Sequence, residues 1–309
     1  MQNVQFKIIF RGWIKNKTYT LISLISLITG ITCCTLLVTF VIHEYNIAHS
    51  ILNSKNCYLV QEQKEQDATP SEALISGKSG VQLKNTYPEV KSYCVLRNEH
   101  LFLSEESEES DYMYAYSATP SFTEFFKLPL LSGDLHKTLL TSNEIAVTRS
   151  FALQYFGIAN PIGKSITLGH SIRYFNGKEN TYKTIFQSHT ITTVIDDSQK
   201  SFLHYGILRG LPDEEISQIT GFPFYTFIEL TPEVTVQKFM AKINDRNEGQ
   251  FEDKTIYLKP AKELYFSETR HLYERGLIFK RDPSFVYLGM GVAILIFIIA
   301  CFNHINICL

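Results

Sequence analysis

TYTLISLISLITGITCCTLLVTFVIH, residues Thr18 to His43, decides how the rest of the chain is read. From Thr18 through Ile42 it carries no charged side chain. A helix needs about 20 residues to cross the hydrocarbon core of a bilayer, and this run is longer. In lipid every backbone N–H and C=O must be satisfied within the segment, which selects a helix. A buried helix of a soluble protein is usually shorter and interrupted by a polar face, and this stretch has neither property. The expectation is a transmembrane helix over 18–43.

A second apolar run, FVYLGMGVAILIFIIACF, spans Phe285 to Phe302. It sits at the lower edge of the spanning length and predicts a second transmembrane helix over 285–303, with a short tail at 304–309. The residues between, 44–284, are polar enough to fold as a soluble domain. Strands alternate there with helices, so the fold class expected is α+β, with two transmembrane helices flanking one large extracytoplasmic domain.

The flanks give an orientation. Lys7, Arg11, Lys15 and Lys17 precede the first run with no acid among them. Short basic flanks stay in the cytoplasm, so the N-terminus is expected inside and the large domain outside. Lys280 and Arg281 oppose this, but the first helix usually dominates. A cleaved signal peptide is the rival reading, and it wants a shorter apolar core and a small-residue cleavage site. Upstream, Phe6, Ile9, Phe10 and Trp13 recur at helical spacing, with Lys7, Arg11 and Lys15 on another face. That pattern predicts an amphipathic helix over 1–17 lying in the inner lipid interface. The plainer alternative is the wetted start of the span.

Net charge of −2 and a pI near 6.5 give no support for nucleic-acid binding. No CxxC pair is present, so neither a zinc site nor a thioredoxin-like motif is supported. Cys57 and Cys94 are the two cysteines between the spans, and a disulfide or two free thiols both remain open. The acidic run Glu105, Glu106, Glu108, Glu109, Asp111 lacks the ligand spacing and central glycine of an EF-hand and reads as a solvated hairpin turn.

Along the domain, strands are expected near 56–60, 90–97, 101–104, 112–117, 144–148, 165–168, 189–195, 225–230 and 255–258. Helices are expected near 71–86, 121–126, 149–156 and 234–244, with 128–134 a turn and 198–222 unassigned. GIANPIGKS, Gly157 to Ser165, imitates a phosphate-binding loop. It has five residues between its glycines where the motif has four, and Pro161 removes a donor. Helix precedes it and strand follows, the reverse of the motif's context. No nucleotide site is expected there. His43–Glu44 fails the HExxH spacing, with Ile47 in the second histidine's place, and no GxSxG elbow occurs. No catalytic, cofactor-binding or metal-ligating set emerges.

Five stretches carry a family resemblance. They are Phe10–Cys34, YPEV at Tyr87–Val90, TPSFTEFFKLPLLSGD at Thr119–Asp134, NEIAVTRSFALQYFGIANPIGKSI at Asn143–Ile166 and IIACFNHINI at Ile298–Ile307. They resemble the permease subunits of MacB/FtsX-type ABC transporters, close to versions abundant in Bacteroidetes. The resemblance implies a periplasmic core domain in two parts, a porter-like α/β unit (50–125 and 222–270) and an inserted mixed β subdomain (126–221). It implies an inner-membrane location, an ABC-type ATPase on a separate chain, a permease dimer and the lipid bilayer as partners. It also implies ATP-driven movement of the outer domain for export or extraction. Family members have four spans or more, so the chain is expected to be a fragment, a truncated product or half of a split permease. The alternatives by layout are a two-span extracytoplasmic sensor or receptor, or an adhesion or scaffold module.

Overall fold

The computed structural model describes residues 17–49, 52–53, 56–64, 75–103, 112–157, 160–175, 180–198, 201–203, 205–218, 224–245, 254–266 and 281–308. They fall into two compact units that divide near Ile47 and Arg281.

The first unit is a pair of helices, α1 (Lys17–His49) and α8 (Pro283–Cys308). Both are long and apolar enough to cross a membrane. They are not core helices of a soluble fold, because Leu21, Ile25, Leu36, Phe285, Leu295 and Phe302 are all exposed. The threonines of α1 are accommodated locally. Thr32, Thr35 and Thr39 donate their hydroxyls to the carbonyls of Ile28, Ile31 and Thr35 at 2.8, 2.9 and 2.8 Å, so these three hydroxyls do not face hydrocarbon bare.

The second unit is built on one ten-stranded sheet. Its elements in chain order are β1 (Cys57–Lys64), α2 (Gly77–Thr86), β2 (Val90–Phe102), β3 (Tyr112–Ala118), α3 (Phe122–Phe125), β4 (Leu130–Ser132), α4 (Leu135–Thr138) and β5 (Glu144–Thr148). There follow α5 (Arg149–Phe156), β6 (Ser165–Phe175), β7 (Asn180–Ile195), β8 (Ile207–Gly210), α6 (Asp213–Gln218), β9 (Phe224–Leu230), α7 (Val236–Ile243) and β10 (Lys254–Pro260).

Strands β10-β1-β9-β2 form a half-sheet that is apolar on both faces. On one face α2 and α7 bring Leu83, Tyr87, Phe239 and Ile243 onto Val60, Ile228, Leu230, Ile256 and Leu258. Tyr87 and Phe239 meet edge to face at 5.6 Å. On the other face Phe126 stands edge-on to Phe227 at 5.2 Å and against Phe122 at 4.8 Å. Apolar burial of this kind contributes about 25 cal/mol per Å², which makes the aromatic layer the main tie of α3 to the sheet.

The remaining strands curl into a ring. β2 pairs β3, β3 pairs β8, β8 pairs β5, β5 pairs β7, β7 pairs β6, and β6 returns to β2 through Leu101↔His170 and Phe102↔Gly169. Leu101, Ala115, Ile145, Val147, Ile166, Leu168, Ile191 and Ile207 fill its interior. α5 follows β5 directly and adds Phe151 and Ala152 to that cluster. Thr148 Oγ1 accepts from the Phe151 N–H at 3.2 Å to start it, and Gly157 at φ 68° ends it. Only glycine adopts that left-handed cap without a steric cost.

Several sequence expectations are corrected. Residues 90–97 and 101–104 are not two strands, because β2 runs unbroken to Phe102 as the strand shared by half-sheet and ring. The expected turn at 128–134 contains β4, held by pairing to β7. Residues 198–222 contain β8 and α6. β6 and β7 are longer than expected because they extend as a hairpin that pairs through Phe175↔Asn180.

Candidate functional site

The helix pair packs along one narrow seam. Ser23, Gly30, Glu44 and Ile47 of α1 are buried, as are Ala293 and Ala300 of α8. Buried and half-buried positions recur in a stripe every three or four residues (23, 26/27, 30, 33/34, 37, 40/41, 44, 47), the spacing of a heptad seam. Small residues line it, as in close helix packing within membranes. A Cβ on Gly30 would stand 2.9 Å from Ala300 Cβ, so the two backbones are as near as a glycine allows. Cys34 donates its thiol to the Ala293 carbonyl at 3.2 Å. At the far end of α1, Glu44 is 3% exposed and its Oε2 receives Arg281 Nε at 2.6 Å. The guanidinium also lies 5.7 Å from the Phe40 ring centre, a cation–π contact. The charge of Glu44 is therefore tolerated because Arg281 meets it.

In the second unit the ring carries a polar layer at one end. Glu99 of β2 accepts from Arg209 of β8, Nη2 to Oε1 at 2.8 Å and Nε to Oε2 at 3.4 Å. Ser117 of β3 donates to Glu99 Oε1, and Arg97 Nη1 lies 3.5 Å from the same oxygen. Arg209 also grips Glu215 of α6, Nη1 to Oε2 at 3.2 Å and Nη2 to Oε1 at 2.9 Å. Burial alone would raise the Glu99 carboxyl. The charge and hydrogen bonds of Arg209, with Arg97 and the Ser117 hydroxyl, outweigh that and hold it at about 2. Burial alone would lower Arg209, and Glu99 and Glu215 reverse this, so it stays cationic.

Two histidines complete the layer. His170 Nε2 lies 2.9 Å from His189 Nε2, and His189 Nδ1 lies 3.1 Å from the Ser142 carbonyl oxygen. A carbonyl only accepts, so His189 carries its proton on Nδ1 and presents a lone pair at Nε2. His170 must then donate from Nε2, which leaves its Nδ1 as a lone pair 3.8 Å from Glu99 Oε2. Burial drives both rings toward the neutral form. His170 is held at about 4, with Arg209, His189 and Arg97 adding to the effect against Glu99. His189 is lowered by burial and then by Arg209.

Phe6, Ile9, Phe10 and Trp13, the sequence-predicted interface residues, lie outside the described residues, as does the acidic run 105–109. Cys57 on β1 and Cys94 on β2 are free and buried. β9 lies between their strands, which puts the two backbones roughly 10 Å apart, beyond the reach of about 7 Å for a disulfide. In GIANPIGKS the Gly163 N–H donates to the Ile191 carbonyl at 2.9 Å and the Lys164 N–H to Pro161 at 3.0 Å. Lys164 Nζ lies over the Phe156 ring at 5.3 Å. Both backbone donors are thus used within the fold. Among the described residues no cluster of three metal-ligating side chains occurs.

A helix pair fit to cross a membrane, flanking an α+β domain, defines a membrane protein with a large domain between its spans. The MacB-like periplasmic core domain matches residues 20–246, from within the first apolar helix to just past α7. The chain belongs to this family, that of ABC-transporter permeases. Two crystal structures are similar to it. One is a domain of a protein described as a permease from Porphyromonas gingivalis, at 16% identity over 67% of this chain and 90% of that one, with a TM-score of 0.46. The other is the periplasmic region of MacB from Actinobacillus actinomycetemcomitans, at 12% identity over 68% and 90%, with a TM-score of 0.44. No curated protein matches the chain.

Proposed function

We propose that the chain is a non-catalytic permease subunit that couples ATP hydrolysis on a separate cytoplasmic chain to movement of its periplasmic domain, for export or extraction. The observation that carries this reading is the span of the family match. It begins inside α1 and continues through the sheet-rich unit, so membrane helix and core domain belong to one family unit. The N-terminus is cytoplasmic, with the stripe Phe6, Ile9, Phe10 and Trp13 of helix 1–17 in the inner interface. Helices 18–43 and 285–303 cross the inner membrane, and residues 44–284 are periplasmic. Within that domain, 50–125 with 222–270 act as the porter-like part and 126–221 as the insertion. Two copies and two ATPase subunits form the working assembly in the bilayer.

The test is co-purification of the full chain with an ABC-type ATPase, followed by ATP turnover in lipid nanodiscs. Turnover that rises when the chain is present, and falls when Phe10 and Trp13 are changed to serine, supports the reading. A chain that binds no ATPase and leaves turnover unchanged overturns it and favours a sensor or scaffold.

A further inference from the structure

We propose that His170 and His189 form a proton-operated latch, in which uptake of one proton by the pair opens the polar layer and loosens α6 against the ring. The argument begins with charge. Glu99, Glu215, Arg97 and Arg209 balance two against two, and the neutral histidine pair adds nothing. One proton makes the layer cationic where it is shielded from water. Among the described residues, the charged groups facing the rings are Glu99, Arg97 and Arg209. Glu99 and Arg97 come from β2, Arg209 from β8, and each ring faces the other from β6 and β7.

The hydrogen-bond chain fixes where the proton goes. Both hydrogens between Ser142, His189 and His170 are committed, and the free lone pair is His170 Nδ1, aimed at Glu99. His170 is also the more exposed residue, half-buried where His189 is buried. A proton on Nδ1 gives a cation 3.8 Å from Glu99 Oε2 that competes with Arg209 for the carboxylate. Arg209 is the link to α6 through Glu215. The short helix is also held by Tyr93 Oη donating to Asp213 Oδ1 at 2.7 Å, by Ile216 in an apolar cluster with Val95, Leu211 and Phe224, and by Ile216 packing close to Gly77 of α2. Loosening Arg209 therefore weakens one of the contacts that tie α6 down, without dissolving the ring's apolar interior.

The sign follows from linkage. In the closed layer His170 binds its proton at about 4, below the ordinary 6.5, so the open form takes up more protons between those values. Opening is then favoured about tenfold per unit as pH falls through that window, and the gain levels off below it.

Hydrogen–deuterium exchange by mass spectrometry on the full chain in nanodiscs, at several pH values with labelling times scaled to the chemical exchange rate, tests this. Peptides covering 207–218 should lose protection progressively from pH 6.5 to about 4, while peptides from α5 and β5 stay protected. His170→Gln should hold 207–218 at the high-pH level throughout. His189→Gln, which keeps a donor for the Ser142 carbonyl, should shift the window. The same loss in His170→Gln as in the unaltered chain would assign it to carboxylates and overturn the latch. No change in 207–218 down to pH 4 would overturn it too. If micromolar zinc protects 207–218 at pH 7 in a His170-dependent way, the pair is a metal site instead and the proposal fails.

Discussion

Arg281 holds Glu44 at 2.6 Å, Nε to Oε2, and so ties the end of α1 to the chain two residues before α8. The two residues are unequal, because the Arg281 side chain is 41% exposed and the Glu44 side chain 4%. Removing the arginine leaves a carboxylate in a buried position, whereas removing the glutamate leaves a guanidinium that can turn to water. Arg281→Ala is therefore expected to destabilise the helix pair by about 2 kcal/mol, below the range for a fully buried pair because one partner is solvated. Glu44→Ala should cost less, and the double variant less than the sum. Thermal unfolding of the chain in nanodiscs, as a double-mutant cycle, measures this. Equal single effects with no coupling would mean the ion pair does not set the stability of the pair.

The close approach at Gly30 gives a second expectation. A methyl there would meet Ala300 Cβ at 2.9 Å, and both backbones are fixed by neighbouring seam contacts. Gly30→Ala should cost about 1–3 kcal/mol, the usual range for overpacking. Gly30→Ala with Ala300→Gly should recover most of it, since one methyl has crossed the seam. Unfolding midpoints of the single and paired variants decide the matter, and a harmless Gly30→Ala would show that the helices separate freely.

The contrast between these two unit-1 features and the ring shows what could be read in advance. The spans were legible because lipid imposes length and composition on a continuous segment, and Thr18–His43 states both without reference to anything distant. Strand cores such as 144–148 and 225–230 were legible from local apolar runs, and the cap at Gly157 from a single glycine after a helix. The polar layer was not. Glu99 and Arg209 are 110 residues apart, and nothing local marks either as inward-facing. His170 and His189 are 19 residues apart and meet only through the β6–β7 hairpin, whose length the local pattern understates. β8 was missed for a related reason. Its four residues contain Arg209 and Gly210, and it becomes a strand by pairing with β3 and β5, not by its own propensity.

Arg209 should be the most costly single change in the ring. It is 5% exposed and meets two carboxylates. Arg209→Met leaves Glu99 buried beside only the more distant Arg97, and breaking such a pair costs about 3–5 kcal/mol. Glu99→Gln together with Arg209→Met should recover part of that. The acid behaviour follows in sign. With Arg209 present Glu99 is held at about 2, below its ordinary 4.5, so its contribution is intact above 4.5 and is lost as pH falls toward 2. Without Arg209, burial raises the carboxyl and the sign reverses: Glu99 then costs stability as pH rises through its folded value, and its share of the acid limb disappears. Melting temperature followed against pH for both forms is the measurement. An acid limb that does not move in Arg209→Met would show that other carboxylates set it.

The orientation of the chain can be settled by labelling. The segment between the helices is well over about 60 residues, a length that translocates largely regardless of its own charge, so the short N-terminal flank decides the topology. That flank holds Lys7, Arg11, Lys15 and Lys17 and no acid. Lys280 and Arg281 belong to the long segment and carry little weight in the choice. With the native cysteines replaced, a cysteine at Ser107 should react with a membrane-impermeant maleimide in intact spheroplasts. A cysteine at Gln5 should react only after lysis. Labelling of Gln5→Cys in intact cells with Ser107→Cys protected would invert the chain. It would put the large domain in the cytoplasm and remove the basis for reading it as the periplasmic part of a transporter.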